Sequence, residues 1–243
     1  AKGLAPFEPW LGAVRALSSK AGYPELLARA ERLGIGTPFG LYVNVDDKDP
    51  TRYSLFMVQG GIGMPDRDYY LSDDAKLVET RAKYLQHLGN VLRLAGEENA
   101  AARAKAVLDF ETKVAKVHWT QVDSRDASKV YNPFSIAELE KRAPGFDFST
   151  LIADVGARVD SIVVAQPSAI TGIARLVGNT PLQVLKDQML VRSIDTYSDY
   201  LPSAIDQENF SFYGTELSET PQQQERWERA VDSTTATLSD DGV

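Results

Sequence analysis

The chain has 243 residues, 43% hydrophobic and 25% charged, so it is long enough to bury a globular core without disulfide or metal staples. Its 34 acidic and 26 basic side chains leave a formal net charge of −8, which argues against nonspecific binding to nucleic acid or to an anionic membrane. No cysteine is present, which excludes disulfides and thiolate metal sites, and no apolar run reaches the roughly 18–20 residues of a membrane span.

Residues 6–17 place Phe7, Trp10, Leu11, Val14 and Leu17 at helical spacing. Residues 24–33 repeat the pattern, with Pro24 in a first turn and Gly34 as a stop. The stretch 41–71 departs from it. Leu41, Val43 and Val45 alternate with Tyr42, Asn44 and Asp46, and a second run holding Tyr53, Phe56 and Val58 follows the acidic turn DDKDP. Alternation and composition together predict a β-hairpin over about 41–59. Gly60, Gly61 and Gly63 then open backbone angles closed to other residues, and a charged aromatic cluster, Asp66 to Tyr70, closes the stretch.

Helical patterning resumes at Ser72, read as the cap of a long helix with Asp73 and Asp74 in its first turn. Val78, Leu85, Leu88, Leu92 and Ala95 form its expected apolar stripe, and Gly96 ends it. A second long helix over 97–119 turns Val107, Phe110, Val114 and Val117 inward, and so short a connection predicts antiparallel packing. Tyr131-Asn132-Pro133 breaks the pattern. Ser135 with Glu138 makes a capping box for a short helix, and a weaker helix spans 149–155. The apolar run Ser161 to Ala165 is of ambiguous type and is read as extended, because Gln166-Pro167 stops it. Thr180 with Gln183, and Thr220 with Gln223, are read as two further caps. The first opens a helix with the stripe Leu182, Leu185, Met189, Ile194, Tyr197 and Leu201. The second opens a last helix from about 221 to 238 that carries Trp227 and Val231. The expected fold is mainly α: one multi-helix domain over residues 1–243 with a single hairpin.

The run GGIGMPDRDYYL, preceded by a hairpin with VDDKDP, resembles the neprilysin family of zinc metallopeptidases. Gly63, Pro65, Arg67, Asp68, Tyr69 and Tyr70 match the family's G-x-P-x-R-[DE]-Y-Y run. The likeness continues at Tyr131-Asn132, at Tyr213-Gly214 after Phe212, and at Arg226-Trp227. It covers almost the whole chain but only the early part of a much longer family protein, so the chain is expected to be a piece of a longer polypeptide. The resemblance implies that this region builds most of a helical lobe, which covers a zinc-bearing lobe and encloses a chamber open to small peptides. It also implies export to the periplasm or surface of a bacterium. The expected partners are the zinc-bearing remainder of the polypeptide and small peptide substrates. Zinc is expected in the complete enzyme and no cofactor in this chain. The alternative is an independent helical binding module with no catalytic half.

The residues agree that peptide hydrolysis is not housed here. A family zinc site needs H-E-x-x-H, two histidines one helical turn apart with a glutamate that activates water. This chain has only His87 and His118, each with a glutamate (Glu79, Glu111) about two turns earlier, and each is read as a helix-flank residue. No catalytic or metal residue is therefore assigned. Asp46, Asp47 and Asp49 lack the glycine and distal glutamate of a calcium loop and are read as a solvated turn. The glycines do not open a helix after a strand as a nucleotide loop would. Asp123-Ser124-Arg125-Asp126 is read as a cap or turn. Arg67 is either a substrate contact or, as favoured, a tie from the hairpin exit to a neighbouring helix through carboxylate and aromatic contacts. Trp10, Trp119 and Trp227 are read as core.

Overall fold

A computed structural model describes residues 3–239. Two helices open the chain, α1 (Glu8–Ala16) and α2 (Tyr23–Arg32), and lead into β1 (Phe39–Asp46) and β2 (Asp49–Gln59). After the glycine loop come α3 (Asp68–Leu71), α4 (Ala75–Leu94), α5 (Ala100–Val117) and α6 (Gln121–Ser124). Then follow β3 (Asn132–Ser135), α7 (Ile136–Arg142), α8 (Phe148–Asp154) and β4 (Ser161–Val164). The last part is helical: α9 (Pro167–Asn179), α10 (Leu182–Thr196), α11 (Ser203–Asn209), a π-helical stretch Phe210–Leu217, and α12 (Arg226–Ser239). The mainly α expectation holds.

The hairpin forms as read, with Tyr42 opposite Phe56 and their rings stacked at 5.2 Å. It is not alone. β2 also pairs in parallel with β4, and β3 lies antiparallel to β4, giving a four-stranded sheet in the order β1-β2-β4-β3. The ambiguous run at 161–165 is extended, while Tyr131-Asn132-Pro133, read only as a break, leads into an edge strand. Proline is tolerated there because an edge strand needs fewer ladder donors. Phe39, Phe146 and Phe148 meet tilted or edge-on, with ring centroids 4.6–5.2 Å apart, and join the start of the sheet to α8.

Helices α4 and α5 pack together as expected, with Leu88, Val91 and Leu92 of α4 and Ala104, Val107 and Phe110 of α5 all buried. Each fully buried aliphatic or aromatic side chain of this kind contributes roughly 1.5–3 kcal/mol. The inward face of α4 differs from the expected stripe. Tyr84, His87 and Val91 are buried, whereas Val78 is exposed, because α4 is covered on several sides by α5, α10, α11 and the π-helical stretch.

Several expected caps fall elsewhere. Asp74, not Ser72, caps α4 by accepting from the N–H groups of Lys76 and Leu77. Thr180 donates to the Leu176 carbonyl at 2.7 Å and so closes α9 instead of opening α10. Thr220 precedes no helix: α12 starts at Arg226, and Gln223 donates to Asp206. Ser135 and Glu138 do form the capping box of α7. Of the tryptophans, Trp10 is buried and Trp119 half-buried, but Trp227 is 66% exposed on α12. Leu238 lies among residues whose side chains are not described.

Candidate functional site at the hairpin exit

The turn that was read as solvated is ordered around one enclosed carboxylate. Asp46 accepts from the backbone of Lys48 and Asp49, from Ser54 Oγ, from Arg52, and from the Tyr131 hydroxyl at 2.8 Å. These donors, the Ser54 hydroxyl foremost, hold its carboxyl well below the usual range. Asn132 then bonds the carbonyls of Lys129 and Val164, so Tyr131-Asn132 pins both the hairpin tip and the sheet edge.

At the other end of β2 the chain enters a polar hub inside the helices. Gly61 adopts a φ of 86°, a left-handed angle that suits glycine, and brings its carbonyl to Gln188 at 2.9 Å. Next come Gly63 and Met64, whose N–H groups both donate to the Tyr70 hydroxyl, at 2.9 and 3.0 Å. Tyr70 in turn donates to Glu111 Oε2 at 2.7 Å, Tyr84 donates to the same oxygen at 2.9 Å, and Gln188 donates to Oε1 at 3.0 Å. Burial, reinforced by the Glu111 charge, pushes both phenols well above their usual range, which keeps them protonated as donors. Burial works against the charge on Arg192, but its acidic surroundings, Glu111 and Asp195 among them, outweigh that and raise its pKa. One carboxylate thus gathers α3, α4, α5, α10 and the glycine loop.

The hub continues through Tyr213, whose hydroxyl lies 3.2 Å from the Gly63 carbonyl and 3.3 Å from Asp195. His87 is not on a flank. It is buried between Asp195 at 3.1 Å and Glu208 at 3.2 Å, one carboxylate on each ring nitrogen, which ties α4 to α10 and α11. Burial opposes its charge, yet Asp195 and then Glu208 prevail and raise its pKa to about 9. A group with its folded pKa raised above about 6.5 stabilises fully below that pH and loses the contribution as pH rises through the folded value. Urea unfolding is therefore expected to show a loss of roughly 3 kcal/mol between pH 6 and pH 9.5 that His87→Gln lacks. A wild-type curve as flat as the variant's would count against the ion pair.

His118, also buried, sits at the end of α5 with Nε2 2.9 Å from the Gly60 carbonyl, and burial lowers its pKa. Arg67 does tie the hairpin exit to α5, but through the His118 carbonyl at 2.7 Å, where a carboxylate was expected. Pro65 on the loop and Asp68 at the start of α3 are exposed, and Tyr69 packs half-buried at the edge of the core. Gly214 leaves room for the Phe210 ring, Arg226 bonds the Leu201 carbonyl at 3.3 Å, and Trp227 faces outward. Gly63, Tyr70 and Tyr213 thus converge in the hub, Tyr131 and Asn132 at the sheet, and the remainder scatter.

Reasoning from sequence missed Glu111, Arg192, Asp195 and Gln188 as the hub's organisers. Glu111 carried a signal: it lies on the apolar face of α5, four residues after Val107 and three before Val114. A zinc ion does not fit these residues. The two carboxylates beside His87 approach opposite ring nitrogens, so they do not converge on one point, and a protonated imidazole offers no lone pair. Glu79 pairs with Lys83, and Glu111 is bound by Tyr70, Tyr84 and Gln188, so neither serves a histidine. Among the described residues no group of three or more metal-binding side chains converges.

Comparison with known proteins bears on the same features. The sequence matches the profile of Peptidase family M13 over residues 1–241. Endothelin-converting enzyme 1 of Cavia porcellus is 28% identical over 208 residues, which take in 81% of this chain and 27% of that protein. The crystal structure of Mycobacterium tuberculosis zinc metalloprotease Zmp1 in complex with an inhibitor has a TM-score of 0.92 at 29% identity, covering 98% of this chain and 37% of that one. PepO from Lactobacillus rhamnosis, at 18% identity and a TM-score of 0.77, shares the fold. The chain therefore spans about a quarter of the length of the curated relatives it matches.

Proposed function

Because the chain belongs to Peptidase family M13, as its N-terminal part, we propose that it is the non-catalytic helical lobe of a neprilysin-like zinc endopeptidase exported by a bacterium. In this reading the lobe walls a chamber and admits only small peptides, while the chemistry stays on the remainder of the polypeptide. The observation that carries it is the fit of nearly the whole chain, 98%, onto 37% of a zinc metalloprotease. That fit also weighs against a self-standing binding module.

The hub supports the exclusion role. A wall that selects by size must keep its shape, and a satisfied buried polar network specifies one arrangement of the helices it joins. Here Glu111 and Asp195 between them bond to groups of α3, α4, the glycine loop and the π-helical stretch. No step of hydrolysis is assigned to this chain, whose residues do not fit the metal. Among the described residues no helix is long and apolar enough to cross a membrane.

The test uses the complete polypeptide and one cleavable sequence in two settings. A free peptide of about ten residues is expected to be cut, while the same sequence in an exposed loop of a folded protein is spared. Equal cleavage of both would remove the size-exclusion role.

A further inference from the structure

Away from the hub, an open groove of about 600 Å3 runs between α5, β3, α7 and α9. Val117, Phe134, Leu139 and Pro167 give it an apolar floor, and Arg142 and Arg175 stand over it. No carboxylate lines it. Arg15, Arg52, Arg103 and Arg229 each form ion pairs with two carboxylates, whereas among the described residues neither Arg142 nor Arg175 forms one. Arg142 has instead the face of Phe134, 4.7 Å away. Glu138, one turn earlier, turns its carboxylate back to the Ser135 N–H and hydroxyl, at 2.9 and 2.8 Å, to close the capping box. Arg175 makes no hydrogen bond or ion pair among the described residues. Two guanidiniums without an ion pair among the described residues thus flank apolar surface on a protein of net charge −8, the Glu138 carboxylate being near enough to feel the Arg142 charge but bonded to Ser135.

We propose that this groove binds an extended acidic peptide segment. An apolar side chain would lie on the Phe134–Leu139 floor, and two carboxylates would pair with Arg142 and Arg175. Guanidinium is suited to this because its planar fork meets a carboxylate through two parallel N–H bonds. Two separated cations along an open trough fit a chain with repeated charges better than a single-headed apolar acid, which would engage only one of them. The proposal goes beyond the peptidase reading and does not depend on it, since binding is read without hydrolysis.

The probe is an end-blocked, fluorescein-labelled hexapeptide alternating leucine and glutamate, with its leucine–lysine counterpart and octanoate as comparisons. Anisotropy is measured on the 243-residue chain, and Trp119 emission gives a second readout, because its indole donates to Ser168 on the groove wall at 2.7 Å. Saturable binding of the acidic peptide is expected, weakened about tenfold by either Arg142→Glu or Arg175→Glu and reduced by added salt. Arg175→Lys is expected to retain part of it. Both arginines are exposed, so melting curves of the variants should match wild type and separate lost binding from lost fold. Failure of the acidic peptide to bind, equal binding of the lysine peptide, octanoate binding as tightly as the peptide, or unchanged affinity in both glutamate variants would each overturn the proposal.

Discussion

Alanine in place of Gly63 is expected to destabilise the fold by about 3 kcal/mol or more, the upper range for overpacking a tight site. The reason is steric. A Cβ there would sit 2.7 Å from Tyr84 Cζ and 2.8 Å from Arg192 Nη1, and closer still to the Tyr84 hydroxyl. Tyr84 cannot swing away, because it is fully buried and its hydroxyl is bound to Glu111. Gly12→Ala, inside α1, provides the control. Its added methyl would meet only Glu8 Oε1, at 3.8 Å, and should stabilise by about 0.5–1 kcal/mol through helix propensity. Urea unfolding of both variants decides the point. A cost below about 1 kcal/mol at Gly63 would mean that the loop yields and the hub is not rigid.

Glu111→Ala is expected to cost about 3–5 kcal/mol, the range for removing one partner of a buried charged network. Glu111 is inaccessible to solvent, and its loss strands the hydroxyl protons of Tyr70 and Tyr84 and takes from the Gln188 amide one of its two bonds, with Arg192 still charged beside them. Burying polar groups without partners is what makes the change severe, more than the hydrogen bonds themselves. A double-mutant cycle with Tyr70→Phe should return a coupling of at least about 1 kcal/mol, because the two side chains share one bond and one loop. Additive effects would show that Tyr70 and Glu111 act separately.

How far the sequence could be read follows from where each residue's partner lies. The β1–β2 hairpin was legible because alternation and the DDKDP turn are local. The capping box of Ser135 and Glu138 was legible for the same reason. Thr180 carries the same local signature, yet its hydroxyl serves the helix behind it, since only Thr180 and Pro181 separate α9 from α10. Strands β3 and β4 are four residues each, too short for alternation to speak, and their pairing depends on β2. The resemblance picked out Gly63, Tyr70 and Tyr213 but not what they hold. Glu111 lies 48 residues from Gly63 and 41 from Tyr70, and Asp195 lies 18 from Tyr213. Trp227 was misread because helical spacing alone does not say which face is covered.

The most direct measurement combines metal analysis with hydrolysis of a short fluorogenic peptide, by the purified chain alone and with the remainder of the polypeptide added. The chain alone is expected to hold no stoichiometric zinc and to show no turnover. It has two histidines, on separate elements, and both are already engaged. With the complement, turnover should appear and be abolished by chelators. One equivalent of zinc and chelator-sensitive hydrolysis in the chain alone would contradict the account, and His87 and His118 would then be the first residues to replace.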